Sequence, residues 1–272
     1  MRRLVTALAA SMFLLSCSGI PDVASPDIRD RDRIIFSDRL TKAWENSDSL
    51  YVNCVVGKPG VSERTVFNVS FSGEEELSGN QYWPPTDPGY KFYASNVPLN
   101  PGSSGPSLTC DTDMDNIDIV VASCLSPEYR AVNELVFEHI FAKTGICTAA
   151  VPAGYAISGL SVTFSPAVSG KYNLFEGYGK NDGSGWSDIV AGDSVLMHRD
   201  MLLIPGEYLL DVSYTLSRGS YAEKFTKMAK ATFAGGFVNN LTLVIPEGND
   251  IDVTFRVMLS AWTMSKKYQE TI

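Results

Sequence analysis

Few residues in this chain combine the types and spacing that chemistry needs. Asp111, Asp113 and Asp115 alternate as the opening of a calcium loop does. The sixth position is Asn116 where such a loop needs glycine, and the twelfth is Ala122 where it needs a bidentate glutamate. A solvated acidic turn fits better, and no metal or cofactor is expected. The chain has two histidines, His139 between Glu138 and Ile140 and His198 beside Arg199 and Asp200. Neither carries a partner pattern, and a lone strand histidine is most often a hydrogen-bonded structural residue. Gly177-Tyr178-Gly179 and Gly183-Ser184-Gly185 fail the dinucleotide pattern for want of a following helix, and no Gly-x-Ser-x-Gly elbow occurs. Trp44, Trp83, Trp186 and Trp262 could stack on sugars, although isolated aromatics in β proteins usually belong to the core. No catalytic residue set emerges, and an enzyme is not expected.

The chemistry with a clearer signature lies at the N-terminus. Arg2-Arg3 precede an apolar run from Leu4 to Leu15, which leads into Leu14-Leu15-Ser16-Cys17. A charged start, a short apolar stretch and a small residue before the cut describe a secretory signal over residues 1–16. Leu-Leu-Ser-Cys is similar to the lipobox of bacterial lipoproteins, which makes Cys17 the expected lipid attachment site. The apolar run is too short for an anchor helix. A polar tether over 17–33 follows, closing in Arg29-Asp30-Arg31-Asp32-Arg33, and Arg39 lies just beyond. That segment reads as a solvated run or as a site for an arginine-specific protease.

The formal charge is −9, and losing Arg2 and Arg3 with the signal leaves −11. Phosphate neutralisation needs a cationic face, so nucleic acid is not an expected partner. Four cysteines remain after Cys17: Cys54, Cys110, Cys124 and Cys147. Their spacing matches no zinc pattern. Three disulfide connectivities are open, and so is the reading favoured here, free buried thiols.

The positioning elements read as strands throughout. Residues 34–130 break into short pieces of alternating or continuous apolar character, among them Leu50–Val56, Val66–Phe71, Tyr90–Val97 and Ile117–Leu125. Glycine- and proline-bearing turns separate them. Six or seven strands in about a hundred residues suggest a β-sandwich. The stretch from Val132 to Thr163 places Leu135, Phe137, His139 and Phe141 on one face and Val136, Ile140 and Ala142 on the other. The turn Pro152–Tyr155 then predicts two antiparallel strands, a hairpin between two sandwiches. The same pattern continues over 131–272 through Lys171–Phe175, Leu196–Ile204, Tyr208–Leu216, Phe225–Phe233, Leu241–Ile245 and Ile251–Leu259.

Several short stretches together resemble the fimbrillin-like family, the subunits of type V pili of Gram-negative anaerobes. They are Tyr82-Trp83-Pro84 with Phe92-Tyr93-Ala94, Asp118–Ala122, Phe137–Lys143, Ile157–Thr163, Gly170-Lys171-Tyr172, Pro205–Tyr208, Phe233-Ala234-Gly235 and Trp262. The chain is shorter than stalk subunits of that family and carries more cysteines. The resemblance implies an all-β chain of two tandem transthyretin-like sandwiches behind a lipoprotein signal peptide. It implies a surface lipoprotein of the outer membrane, cut by an arginine-specific protease at Arg29, Arg31, Arg33 or Arg39. Partners would be other pilus subunits, in a homo- or hetero-polymer built by β-strand donation and serving cell adhesion. Ile251, Val253, Phe255, Val257 and Leu259 alternate as a half-buried donor strand should, and as the last strand of an ordinary sandwich also would. The alternative function is a free-standing surface lipoprotein that binds glycan or host protein, with Trp83 or Trp186 as a platform.

Overall fold

A computed structural model describes residues 33–38, 49–56, 62–68, 76–87, 89–100, 105–111, 118–247 and 252–262. Cys17, Arg29, Arg31, Arg39, Trp44 and Ile251, all singled out above, lie outside them. The chain is all-β, as the alternation predicts. Among the described residues one helical turn, α1 (Leu174–Gly177), interrupts nineteen strands.

The first half forms two sheets around one core. β1 (Arg33–Asp38) lies between β4 (Glu76–Tyr82), to which it runs antiparallel, and β8 (Val132–Leu135), to which it runs parallel. The facing sheet is ordered β3 (Ser62–Asn68), β2 (Ser49–Val56), β5 (Tyr90–Ser95), β7 (Val120–Cys124) and β9 (Glu138–His139). Ile34 and Phe36 from β1 meet Leu50, Val52, Phe92, Ala94, Val120 and Ala122 across the gap. Phe36 and Phe92 sit edge to face at 5.0 Å, a geometry aromatic quadrupoles favour. Trp83 belongs to the same core, against Tyr90, Phe92 and Tyr129.

This five-stranded sheet is apolar on both faces because both are covered. Phe92 and Ala94 point into the first core, while Tyr93, Val121 and Val55 point the other way into a second. That second core is roofed by β6 (Ser107–Asp111), β12 (Ala167–Asn173) and β13 (Trp186–Ala191). Leu108 and Cys110 from β6 meet Tyr172 from β12, Ile140, Phe141 and Ile204 there. β6 pairs antiparallel with β12 from Ser107↔Asn173 to Asp111↔Ser169. The halves of the chain are therefore joined by a shared sheet and a shared core.

The last sandwich faces β15 (Leu202–Leu203), β10 (Ala142–Ala150), β18 (Phe237–Val244) and β19 (Thr254–Ala261) against β14 (Val195–Leu196), β11 (Ala156–Phe164), β16 (Gly206–Arg218) and β17 (Tyr221–Phe233). Val162, Phe164, Leu210, Val212, Phe233, Leu241 and Leu243 fill it.

Two expectations change. The stretch 132–163 is not a hairpin. β10 pairs with β15 and, in parallel, with β18, whereas β11 pairs with β14 and β16, so the strands flanking Pro152–Tyr155 belong to opposite sheets. The turn itself is present, with Tyr155 N–H donating to the Pro152 carbonyl at 3.1 Å and Gly154 at φ +81°. Both strands turn one face to the same interior, from opposite sheets. The first sandwich also runs past residue 130, because β8 pairs with β1 and β9 with β7. Leu135 and Phe137 close its core, and the crossing into the last sandwich falls at Ile140–Ala142.

The four described cysteines are free thiols. Cys54 and Cys124 stand opposite Phe92 from either side. Two strand spacings, roughly 9.5 Å, exceed the ~7 Å that a disulfide spans. Burial pushes the Cys110 thiol far above its ordinary range.

Candidate functional site

The first strand has the most unusual position. It directly follows the arginine-rich segment, yet it is the middle strand of its sheet, bonded on both edges. Ile34 and Phe36 are 3% and 0% exposed. At roughly 1.5–3 kcal/mol per buried large side chain, these two hold β1 in place together with its ladders. Arg33 opens the strand opposite Tyr82, with its guanidinium carbon 5.8 Å from that ring's centre. A protease acting at Arg33 therefore meets paired backbone. Withdrawing β1 would leave β4 and β8 each with an unpaired edge above an apolar slot. The pairing of β1 with β8 was not legible in the sequence, because parallel pairing across about a hundred residues leaves no local signal.

Of the C-terminal candidates Phe255, Val257 and Leu259 lie on β19, and Val253 lies just before it. The strand pairs with β18 from Phe237↔Ala261 to Val244↔Thr254, at the edge of its sheet. Val253 is buried, Phe255 and Val257 are half-buried, and Leu259 is exposed. In this chain they serve as the last strand of its own sandwich. Trp262, just past β19, lies flat on His139, ring centres 4.1 Å apart and planes within 3°. Asp118 carboxylate oxygens are 2.8 and 2.9 Å from His139 Nδ1, and Lys143 Nζ is 5.4 Å from the Trp262 ring. The histidine is structural: it ties the end of β19 to the base of the first sandwich.

A second opening runs along the last sandwich between β10 and β11. β15 covers only Ala142 and Lys143 of β10, and β14 only Thr163 and Phe164 of β11. One further residue on each, Thr144 and Val162, bonds the adjoining loop, and past these each sheet ends in a strand edge. Cys147, Ala149, Val151, Ile157 and Leu160 pack on the core there but stay part-exposed, while Leu210, Val212, Leu241 and Leu243 in the sheet centres are sealed.

The remaining candidates separate. Trp83 is 5% exposed. Trp186 is half-buried and packs on Phe141 and Tyr172 at 5.6 and 5.2 Å, so Trp83 offers no sugar platform and Trp186 serves as a core contact. Asp113 and Asp115 lie outside the described residues, and among the described residues no group of three or more His, Cys, Asp or Glu could hold a metal ion. No helix among them is long and apolar enough to cross a membrane. Glu138 has its carboxyl raised above the ordinary range by burial, opposed by the Gly179 N–H that donates to Oε1 at 2.7 Å.

No family model matches the chain, and no curated protein matches it. Among solved structures it is similar to a candidate cell adhesion protein from Bacteroides ovatus ATCC 8483, with 12% identity, 82% of this chain and 90% of that chain covered, and a TM-score of 0.45. It is similar to another from Parabacteroides distasonis ATCC 8503, with 9% identity, 87% and 99% covered, and a TM-score of 0.49. The third is the fimbrial anchor protein Mfa2 from Porphyromonas gingivalis, with 14% identity, 85% and 98% covered, and a TM-score of 0.37. All three TM-scores lie below one half, too low for these likenesses to bear on function.

Proposed function

We propose that this chain is a structural or accessory subunit of a type V, fimbrillin-like pilus on the outer membrane, exported as a lipoprotein acylated at Cys17 and serving cell adhesion. Assembly proceeds by strand exchange with other subunits. The supporting observation is β1: an N-terminal strand next to an arginine-rich tether occupies the centre of its sheet and buries Ile34 and Phe36. A cut after Arg39, just past β1, severs the strand from the body. A neighbour's extended segment then gains backbone pairing on two sides and burial of alternate side chains. If that segment is Ile251–Leu259, it must first give up its own pairing with β18.

The test replaces Arg29, Arg31, Arg33 and Arg39 together with Ala and compares surface extracts and fatty-acid labelling with the wild type. The expected result is a lipid-bearing monomer and loss of heat-resistant ladders. Ladders at normal yield from a lipid-bearing variant would overturn the mechanism. Labelling that persists in Cys17→Ala would overturn the anchor.

A further inference from the structure

The β16–β17 hairpin overhangs the sheet that faces it. Its strands are thirteen residues each, against eight for β18 and β19. Along most of the hairpin the inward row is core: Leu210, Val212, Ala229, Ala231 and Phe233. Towards the tip the same row becomes Tyr214 opposite Phe225, Leu216 opposite Glu223, and Arg218 opposite Tyr221. Burial of unpaired charge is costly, so this part of the inner face is built to remain wet or to meet a polar ligand.

The overhang, the Pro152–Tyr155 arch and residues 245–247 enclose a cleft of about 670 Å³, within the ~300–1,000 Å³ range of small-molecule sites. Its floor is aromatic, with Tyr214 and Phe225 stacked at 5.4 Å and 22°. Tyr155 forms one wall with Arg218 over its ring at 5.2 Å. Tyr221, 57% exposed, forms the other and donates its hydroxyl hydrogen to Glu223. The charges lining the cleft balance, Arg218 and Lys227 against Glu223 and Glu247. Among the described residues none of the four is ion-paired.

We infer that this cleft is a binding site for neutral saccharide. A sugar ring has an apolar C–H face that settles on the electron-rich face of a tyrosine, and a hydroxyl rim that needs donors and acceptors together. Arg218 and Lys227 supply the first, and Glu223 and Glu247 the second. Balanced charge disfavours a strongly anionic or cationic ligand. None of the residues lining it lies on β1 or β19.

The experiment uses the full chain and saturation-transfer NMR with calorimetry. The probes are malto-, cello-, N-acetylchito- and manno-hexaose, with a heparin hexasaccharide as the anionic comparison. At least one neutral hexaose is expected to bind, with affinity at least tenfold weaker in Tyr221→Ala and reduced in Glu223→Gln. Both side chains are exposed, so the melting temperature should not move. If Tyr221→Ala does shift the melt, Glu223→Gln alone decides. Absence of neutral-saccharide binding at millimolar concentration, binding of the heparin fragment alone, or binding indifferent to Glu223→Gln would each overturn the assignment.

Discussion

Phe141→Ala tests whether the two halves of the chain unfold as one. Phe141 is 1% exposed and sits in the core shared by β6, β7 and β12, with its ring 5.6 Å from Trp186. An aromatic side chain buries roughly 150–250 Å². At ~25 cal/mol per Å² that amounts to about 4–6 kcal/mol as an upper bound. Measured Phe→Ala changes in packed cores cost about 3–5 kcal/mol, so the two routes agree. For a chain of this size each kcal/mol lowers Tm by about 2–4 °C, a fall of roughly 6–20 °C. The assay is differential scanning calorimetry of both proteins. The wild type should melt in one transition, because a core drawing on both halves couples them. The variant should melt lower, with the endotherm broadened or split. Two well-separated wild-type transitions, or a variant within ~3 °C of wild type, would falsify the claim that this junction is a working core.

Two further predictions concern buried polar groups. Because burial raises the Glu138 carboxyl, the folded chain holds this proton more tightly than the unfolded one. Stability therefore falls as pH rises from the ordinary carboxylate value to the raised one, and the full penalty persists above it. Glu138→Gln, which can still accept from Gly179 N–H, should melt higher at pH 7 and equal to wild type at low pH; a gain confined to acid would reverse the reasoning. Asn239, 1% exposed, accepts from Ala234 N–H at 2.9 Å and donates to the Ala234 and Phe237 carbonyls at 3.0 Å each, pinning the β17–β18 turn. Asn239→Ala leaves these groups without that partner and should cost about 2–3 kcal/mol in urea titration, and a change under ~0.5 kcal/mol would mean water replaces the side chain.

How much was legible in the sequence divides along local and non-local lines. Tyr208–Leu216 and Phe225–Phe233 read as strands and lie inside β16 and β17, because inward apolar residues alternate with outward polar ones. Leu196–Ile204 read as one strand and is two short bridges around the exposed His198-Arg199-Asp200 corner. Asp200 there has φ +71°, a conformation that a continuous strand does not contain. Pairing partners were not legible. Pro152–Tyr155 announces a reversal of the chain, but nothing local says whether the next strand stays in the sheet or crosses to the opposite one. The saccharide cleft was missed although its signal was present: Tyr221, Glu223 and Lys227 hold inward positions on a strand whose later inward residues are Ala229, Ala231 and Phe233. That shift in residue type marks where the facing sheet ends.

The placement of β1 also constrains how the chain can be made. Ile35 is the parallel partner of Val132, 97 residues downstream. Synthesis delivers the N-terminus first, so Ile34 and Phe36 emerge long before β8 exists to flank them. Closing so distant a pair carries a loop-entropy cost that local hairpins such as β16–β17 avoid. The β2–β3 and β2–β5 ladders of the facing sheet can form earlier, so that β1 settles late against a layer already partly built. A strand whose pairing on both sides is completed last is also one whose withdrawal leaves the facing sheet's ladders intact.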